Sequence, residues 1–478
     1  MGKRRIFLDG NLFGNDAGED ESIEKLNEYF LITPEQDLFF SESTRLSFVR
    51  ARKGMGKSAL LCYTASKIES ENPDDIVINI KASELNVEPD ISCTNALKYV
   101  NMWQQIICSR INNEIGKHIN VAFSDDKMSV VEVSEINGFK GKNFISAIID
   151  RFIVNEDKVK ISKGNITNDC EVLKRIQSLN KSNNVWIFID DIDATYIDNE
   201  SNRLFVSTFF SACRLLTQNI KGINIRASVR TDVWSLIAST DESLDKCEQY
   251  MFDLKWSTKE TGLIISNKIY TYFKLCKDPS EKNMYSDSSD YYKNIFKNKI
   301  RWGNHYVVPL KVIHILSAGR PRWASQLCKL AAKDAYQKSI ALIGTGNINY
   351  AMTQYGIMRL SDLQKEHSHQ CNKISEIIES FRNGKREYRY DELIEHINNK
   401  IINNTNNICI DNTLTNEALT IAKFLYRIGF ITLRNNEFER AEGFTHFEEA
   451  PDILIETNID HNALWIVHPA YRTALNIK

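Results

Sequence analysis

Residues 45–61 of the chain read Arg45-Leu-Ser-Phe-Val-Arg-Ala-Arg-Lys-Gly-Met-Gly-Lys-Ser-Ala-Leu-Leu61. The apolar run from Leu46 predicts a buried strand, and the run from Lys57 predicts a helix. Gly54 and Gly56 lie between them. A strand, a glycine loop and a helix N-terminus together predict a phosphate-binding loop, because loop N–H groups and the positive helix end point at one anion. The alternative is a helix-capping loop that matches the motif by chance.

The loop motif predicts a role for individual residues. Lys57 would reach the β- and γ-phosphates of a nucleotide, and the Ser58 hydroxyl would ligate Mg²⁺. The usual pattern begins with glycine, where this chain has Ala51. Alanine is strained there only if its φ angle is positive. The residues expected to hold the nucleotide are Lys53, Gly54, Met55, Gly56, Lys57, Ser58 and Ala59.

A second acidic motif follows an apolar run, Val185-Trp-Ile-Phe-Ile-Asp-Asp-Ile-Asp193. It predicts a central strand, buried on both faces, whose end meets the phosphate loop. We expect Asp190 to hold Mg²⁺ together with Ser58, and Asp191 to orient or deprotonate the attacking water. Aspartate reaches less far than glutamate, which predicts slow turnover. The alternative is a strand that ends in a charged turn.

Two arginines are candidates for sensing the terminal phosphate. Residues 222–234 predict a strand with a polar tip, and Arg230 lies at that tip. The stretch Ser317-Ala-Gly-Arg-Pro-Arg-Trp-Ala324 predicts the end of one helix and the start of the next, because proline is tolerated in a first turn. Arg322 would then lie near a helix N-terminus and point back at bound phosphate. A solvated surface arginine is the alternative for both.

The composition is that of an ordinary soluble protein, with 42% hydrophobic and 26% charged residues. The net charge of −2 gives no overall field that favours nucleic acid or acidic lipid. Ten scattered cysteines predict reduced thiols. No run reaches the roughly 18 apolar residues of a membrane span, so we expect a cytoplasmic protein. His367 and His369 could bind a metal, but a solvated helix surface is the preferred interpretation.

Hydrophobic periodicity predicts a succession of regions along the chain. The last of them, after a linker around residues 361–370, contains three helices and then two paired strands, the pattern of a winged helix-turn-helix. The predicted regions are a helical lead-in at 1–42, a nucleotide-binding core at 43–256 with a polar insertion at about 116–168, a helical lid at 257–360, and the winged helix at 370–478.

The order of these features resembles that of the AAA+ and STAND-like ATPases. It is most similar to a bacterial branch of stand-alone ATPases, and similar in layout to the origin-recognition initiators. Phe13-Gly-Asn-Asp-Ala17 and the Trp256-Ser segment are similar to the bacterial branch. The resemblance implies an α/β P-loop NTPase fold of the ASCE, AAA+-like type, with a parallel sheet, a helical lid and a winged helix. It also implies that the stretch from Gly319 to Arg322 is the second phosphate sensor.

The resemblance further implies an ATP-driven switch that uses ATP and Mg²⁺, hydrolyses ATP slowly and controls a protein partner or effector. Because many bacterial relatives act in antiphage defence, that role is implied as well. The alternatives are a DNA-binding initiator or loader that uses the winged helix, and a nucleotide-binding scaffold without turnover. A homo-oligomer and the source of an arginine finger stay open.

Charge argues against the DNA-binding alternative. Affinity for DNA comes mostly from lysine and arginine placed against phosphates. The predicted wing instead sets Arg440 against seven acids, so we predict weak nucleic-acid binding. These acids are Glu437, Glu439, Glu442, Glu448, Glu449, Asp452 and Glu456.

Overall fold

The computed structural model describes most of the chain outside the predicted insertion. The described residues are 10–41, 43–85, 95–118, 130, 169–179, 184–275, 291–303, 305–434, 443–447, 449–450, 452–454 and 456–477. Most of the insertion therefore lies outside the described residues, as do Glu437, Glu439, Arg440, Glu442 and Glu448 of the predicted wing. Within the described ranges, no helix has both the length and the apolar character needed to cross a membrane.

A parallel sheet forms the centre of the nucleotide-binding core. Its described strands are β1 (Leu46–Arg50), β2 (Ile76–Lys81), β3 (Val185–Asp190), β4 (Ile223–Val229) and β5 (Met251–Asp253). They lie in the order β2-β3-β4-β1-β5, and all pairings are parallel. The carboxyl ends of β1, β3 and β4 therefore meet at one edge, where ligands bind in open α/β sheets. The predicted α/β P-loop fold is confirmed.

Helices cover both faces of this sheet, which is why β3 and β4 are buried and β3 is almost entirely apolar. On one face Trp103 packs against Phe205, with ring centroids 4.7 Å apart, and its Nε1 donates to the Phe205 carbonyl. The helices are α1 (Ile23–Tyr29), α2 (Asp37–Phe40), α3 (Lys57–Glu71), α4 (Ala96–His118), α5 (Asp169–Leu179), α6 (Glu200–Asn219), α7 (Thr231–Ala238) and α8 (Asp245–Glu248).

The next region is helical, as predicted. It contains α9 (Thr258–Lys274), the hairpin β6 (Ile300–Trp302) and β7 (His305–Val307), α10 (Pro309–Ser317), α11 (Pro321–Gln337) and α12 (Thr345–His367). Ala318 and Gly319 adopt positive φ angles and end α10, and Pro321 occupies the first turn of α11. The linker predicted over residues 361–370 is wrong, because α12 continues to His367 with Leu360 and Leu363 buried in the core.

The C-terminal region combines short helices with an antiparallel sheet. In the sheet, the strand Ile431–Arg434 lies between the strands Phe444–Thr445 and Leu464–Val467, and the strand Glu387–Arg389 forms the other edge. Ile431 lies opposite Val467, so the two strands that the sequence predicts to pair do so. The elements are α13 (Ile374–Glu379), β8 (Glu387–Arg389), α14 (Tyr390–His396) with a π-helical continuation Ile397–Ile402, β9 (Cys409–Ile410), β10 (Thr413–Leu414), α15 (Ala418–Arg427), β11 (Ile431–Arg434), β12 (Phe444–Thr445), β13 (Leu464–Val467) and α16 (Pro469–Arg472).

The helical and C-terminal regions share one apolar core. The cluster includes Leu12 and Phe13 near the N-terminus, Leu327 of α11, Tyr355 of α12 and Leu475 near the C-terminus. All of these side chains are fully buried. A movement of the lid is therefore expected to displace the C-terminal region with it, because close-packed interiors transmit strain. The winged-helix assignment and the region boundaries remain predictions.

Candidate nucleotide-binding site

The glycine loop after β1 has the backbone conformation that its sequence predicts. Gly54 and Gly56 have φ angles of +81° and +103°, which favour residues without a Cβ atom. Gly56 caps α3, so the first N–H groups of that helix face the loop. Ala51 does not have a positive φ angle, and its N–H donates to the Val229 carbonyl at 3.2 Å. Alanine in place of the usual first glycine therefore does not strain the loop.

Lys57 is folded into this loop. Its side chain is buried, and Nζ donates to the carbonyl oxygens of Ala51 at 3.0 Å and Arg52 at 3.4 Å. Burial lowers the pKa of Lys57, whereas Asp193 and Asp190 act in the opposite direction. Ionised phosphate oxygens form stronger hydrogen bonds with an ammonium group than neutral carbonyls do. The lysine is thus positioned to exchange loop carbonyls for a phosphate.

The end of β3 carries the two acids of the predicted catalytic pair. Ser228 of β4 donates a hydrogen bond to Asp190 Oδ1, and the N–H of Asp191 donates to the Ser228 hydroxyl at 3.4 Å. Asp191 has a φ angle of +60°, an uncommon conformation for a residue other than glycine. Burial raises the pKa of Asp191, and the neighbouring charges of Asp190 and Asp193 add to this effect. A carboxylate with a raised pKa suits a general base.

Arg230 is bound to carboxylates at the tip of β4. The backbone N–H of Arg230 donates to Asp193 Oδ2 at 2.6 Å. The side-chain Nε lies 3.4 Å from the same oxygen and 3.8 Å from Asp232 Oδ1. Burial favours a lower pKa for Arg230, but Asp232 and Asp193 outweigh it, so the pKa is raised. No role was predicted for Asp193 from the sequence. The run Asp190-Asp-Ile-Asp193 shows a third acid, but the sequence does not show that this acid pairs with Arg230 of the next strand end.

A cavity of about 940 Å³, including its open mouth, lies over the glycine loop. Every residue predicted to hold the nucleotide lines it, together with Asp191 and Arg322, whereas Asp190 and Arg230 do not. The lining residues are Asp16, Gly18, Glu19, Tyr29, Phe30, Leu31, Lys53, Gly54, Met55, Gly56, Lys57, Ser58, Ala59, Asp191, Trp256, Ile264, Lys268, Pro321 and Arg322.

The N-terminal segment, residues 13–21, forms a wall of the cavity that was not predicted from the sequence. Lys268 of α9 anchors it, because Nζ donates to the Asn15 carbonyl and the Ser325 hydroxyl, both at 3.0 Å. Burial lowers the pKa of Lys268 to about 8. The sequence offered two signals for this wall, the predicted lead-in over residues 1–42 and the likeness of the stretch from Phe13 to Ala17 to the bacterial branch.

Arg322 connects the lid to the glycine loop. Its backbone N–H donates to the Gly54 carbonyl at 3.3 Å, at the start of α11. Its Nη2 donates to Glu19 Oε1 at 3.0 Å in an ion pair. The predicted position of Arg322 near a helix start facing the loop is therefore observed, with Glu19 as an unpredicted partner.

The donors available for a metal suit Mg²⁺ bound together with a nucleotide. The part of the chain that the structure describes contains no group of three or more His, Cys, Asp or Glu side chains that could hold an ion. Mg²⁺ needs only one or two protein ligands when phosphates and water supply the rest, and the Ser58 hydroxyl and Asp190 carboxylate fit that set.

His367 is buried, with Nδ1 2.7 Å from Gln370 Oε1. The solvated-surface interpretation is wrong for this histidine.

No protein-family model matches the chain. The chain is 22% identical over 491 residues to the "Putative transposon gamma-delta 80.3 kDa protein" of Escherichia coli (strain K12), an alignment that covers 98% of this chain and 67% of that protein. Among solved structures, the ORC2 protein of Aeropyrum pernix, in ADPNP–ADP complexes, has a TM-score of 0.42 and 10% identity, with 98% of this chain and 96% of that chain covered. The ORC1 protein of the same organism, in complex with DNA, has a TM-score of 0.40 and 12% identity, with 99% and 98% covered.

Proposed function

We propose that the chain binds ATP with Mg²⁺ in the cavity over the glycine loop and hydrolyses it slowly. The observation that carries this proposal is the convergence of Lys57, Asp191 and Arg322 on one cavity from three parts of the fold. A cation for the phosphates, a carboxylate for water and an arginine from a lid are the parts that phosphoryl transfer requires.

Each residue would contribute one part of the reaction. Lys57 and the N–H groups at the start of α3 would hold the β- and γ-phosphates. Ser58 and Asp190 would hold Mg²⁺, which neutralises the charge that develops on the phosphate oxygens. Asp191 would orient the attacking water and accept its proton. The short aspartate side chain at this position is the basis for expecting slow turnover.

We further propose that ATP binding acts as a switch on a protein partner or effector. Arg322 joins the start of α11 to the loop, and α11 shares its apolar core with the C-terminal region. A change at the phosphates can therefore reach the C-terminal region through packed side chains. A role in antiphage defence extends this proposal and rests on the resemblance to bacterial ATPases alone. Loss of protection by Lys57→Ala in a phage-plating assay would support it, and full protection would contradict it.

Titration with a fluorescent ATP analogue tests the nucleotide site. Lys57→Ala should weaken binding by about 100-fold or more, because it removes the cation that meets the phosphates. Lys67→Ala is a matched control, since Lys67 is a partly exposed residue of the same helix that pairs only loosely with Glu71 at 4.0 Å. Equal affinity of the wild type and Lys57→Ala would refute the proposed site.

A further inference from the structure

The N-terminal segment lies directly on the first turn of α3. A Cβ atom added at Gly18 would be only 2.7 Å from the Cβ atom of Ala59, so the two backbones are as close as glycine permits. The next residue, Glu19, lines the same cavity as Ser58 and Lys57. A carboxylate therefore stands in the wall of the cavity, close to the residues proposed to bind phosphate.

The Glu19 carboxylate forms an ion pair with Arg322, the arginine at the start of α11. Glu19 Oε1 and Arg322 Nη2 are 3.0 Å apart, and the two side chains are 30% and 29% exposed. Carboxylate and phosphate oxygens both form charge-assisted, fork-like hydrogen bonds with a guanidinium group. A terminal phosphate and Glu19 would therefore compete for one cation.

The surrounding contacts confine the exchange to this pair. Among the other acids of the segment, Asp16 also lines the cavity, and it is bound by Lys329 Nζ at 2.6 Å and by Gln326 Nε2 at 3.0 Å. The backbone of Arg322 is bonded to Gly54, and Lys268 bonds the segment to α11 at Asn15 and Ser325. The Arg322 side chain can thus change its partner while the wall that carries Glu19 stays anchored.

Building on the proposed ATP site, we propose that Glu19 is a specificity-determining residue that competes with the terminal phosphate of ATP for Arg322. ATP binding then replaces the Glu19–Arg322 ion pair with a phosphate–Arg322 pair. ADP lacks the terminal phosphate and leaves the ion pair in place. Glu19 thereby sets the ratio of the affinities for ATP and ADP, and its release marks the ATP-bound state.

Removal of the Glu19 charge tests the competition. Glu19→Gln should bind a non-hydrolysable ATP analogue about three- to fivefold more tightly, the upper part of the range expected for a partly exposed ion pair. Its affinity for ADP should change by less than about twofold, because ADP makes no exchange. Glu24→Gln is the matched control, since Glu24 is an exposed acid in the first turn of the nearby α1. Glu19→Ala should likewise strengthen binding of the ATP analogue and leave the affinity for ADP nearly unchanged.

A double-mutant cycle with Arg322→Gln isolates the pairwise effect. In the Arg322→Gln background, Glu19→Gln should no longer strengthen binding of the ATP analogue. Equal strengthening for ATP analogue and ADP, or strengthening that persists without Arg322, would overturn the competition. Failure of the wild type to bind either nucleotide would instead refute the proposed ATP site. A third outcome is that Lys57→Ala abolishes nucleotide binding while Glu19→Gln leaves the ratio of the affinities for ATP analogue and ADP unchanged. That outcome would support the site and contradict the competition.

Discussion

The indole Nε1 of Trp256 donates a hydrogen bond to the carbonyl oxygen of Met55 at 2.8 Å. Trp256 follows β5 and is only 7% exposed, so the bond is shielded from water. Met55 lies between the two glycines with positive φ angles, the part of the loop with the least intrinsic stiffness. A side chain from the segment that follows β5 thus fixes the tip of the phosphate loop.

Trp256→Phe should therefore weaken nucleotide binding without unfolding the protein. The lost hydrogen bond and the looser loop together should reduce ATP affinity by on the order of tenfold. Calorimetric titration with the ATP analogue measures the change. Trp234→Phe is the control, because its Nε1 donates at 2.9 Å to the Glu248 side chain and not to a loop carbonyl, and it should leave the affinity unaltered. Equal losses in the two variants would mean that the effect is general destabilisation.

The two acids at the end of β3 should separate in their effects on hydrolysis. Asp191→Asn should retain ATP binding but slow hydrolysis by about 10²–10⁴, the usual contribution of a positioned base. Asp190→Asn should raise the Mg²⁺ concentration needed for half-maximal activity, because it removes a proposed ligand. Phosphate release measured over a range of Mg²⁺ concentrations distinguishes the two. The assigned roles are wrong if Asp191→Asn hydrolyses ATP at the wild-type rate.

Arg226 of β4 should be essential for stability rather than activity. Its guanidinium is fully buried and donates to the carbonyl oxygens of Phe39, Ser41 and Thr44, while burial lowers its pKa to about 9. Arg226→Met would leave these acceptors unpaired and should cost about 2–4 kcal/mol of unfolding free energy. Urea denaturation measures the loss.

The control for Arg226 is an arginine with an exposed ion pair. Arg382 pairs with Glu379 at 2.6 Å, and both side chains are nearly half exposed. Arg382→Met should cost less than about 1 kcal/mol. Comparable losses for the two arginines would show that Arg226 does not anchor the segment from Phe39 to Thr44.

His468 should make the protein less stable in mild acid. Its Nδ1 accepts the N–H of Ala470 at 3.3 Å and caps α16, and burial together with Arg472, Arg320 and Arg52 lowers its pKa to about 3. The unfolded chain takes up a proton near pH 6.5 and the folded chain only near pH 3. Stability is therefore complete above pH 6.5 and is lost progressively as the pH falls towards 3.

His468→Asn isolates this effect, because asparagine also caps helices but does not titrate. Between pH 7 and pH 5 the wild type should lose about 2 kcal/mol more unfolding free energy than the variant. Urea denaturation at the two pH values provides the comparison. A pH dependence that is the same in both proteins would exclude His468 as its source.

The C-terminal region should not confer tight DNA binding. In α15, the third helix of the predicted winged helix, Lys423 and Arg427 line a groove together with Leu236 of the core, and Arg427 pairs with Asp411. We expect the full chain to bind duplex DNA more weakly than about 1 µM at physiological salt. Fluorescence anisotropy tests this. Sub-micromolar affinity with a steep salt slope, reduced by Lys423→Ala, would favour the DNA-binding alternative.

The strands of the parallel sheet, the glycine loop and the helices on either side of Pro321 could be predicted from the sequence alone. The signals were local ones: alternating or continuous apolar runs, glycines between them and the proline at residue 321. Such signals report backbone conformation and burial, so they can be interpreted without knowing which other part of the chain packs against them. The same signals predicted that Lys57, Asp191 and Arg322 would meet. These side chains project from strand ends and helix starts whose placement follows from the parallel sheet.

Which charged side chains pair across the fold could not be predicted from the sequence and became known from the tertiary structure. Glu19 and Arg322 are 303 residues apart, and Arg230 faces Asp193 across neighbouring strands instead of lining the cavity. Likewise, α12 continues through the predicted linker because its apolar residues pack into a core shared with the C-terminal region. Such contacts depend on how separate elements pack, and no short stretch of chain carries that information. The energy of an ion pair follows the distance and burial of its charges, which are set only when the layers come together.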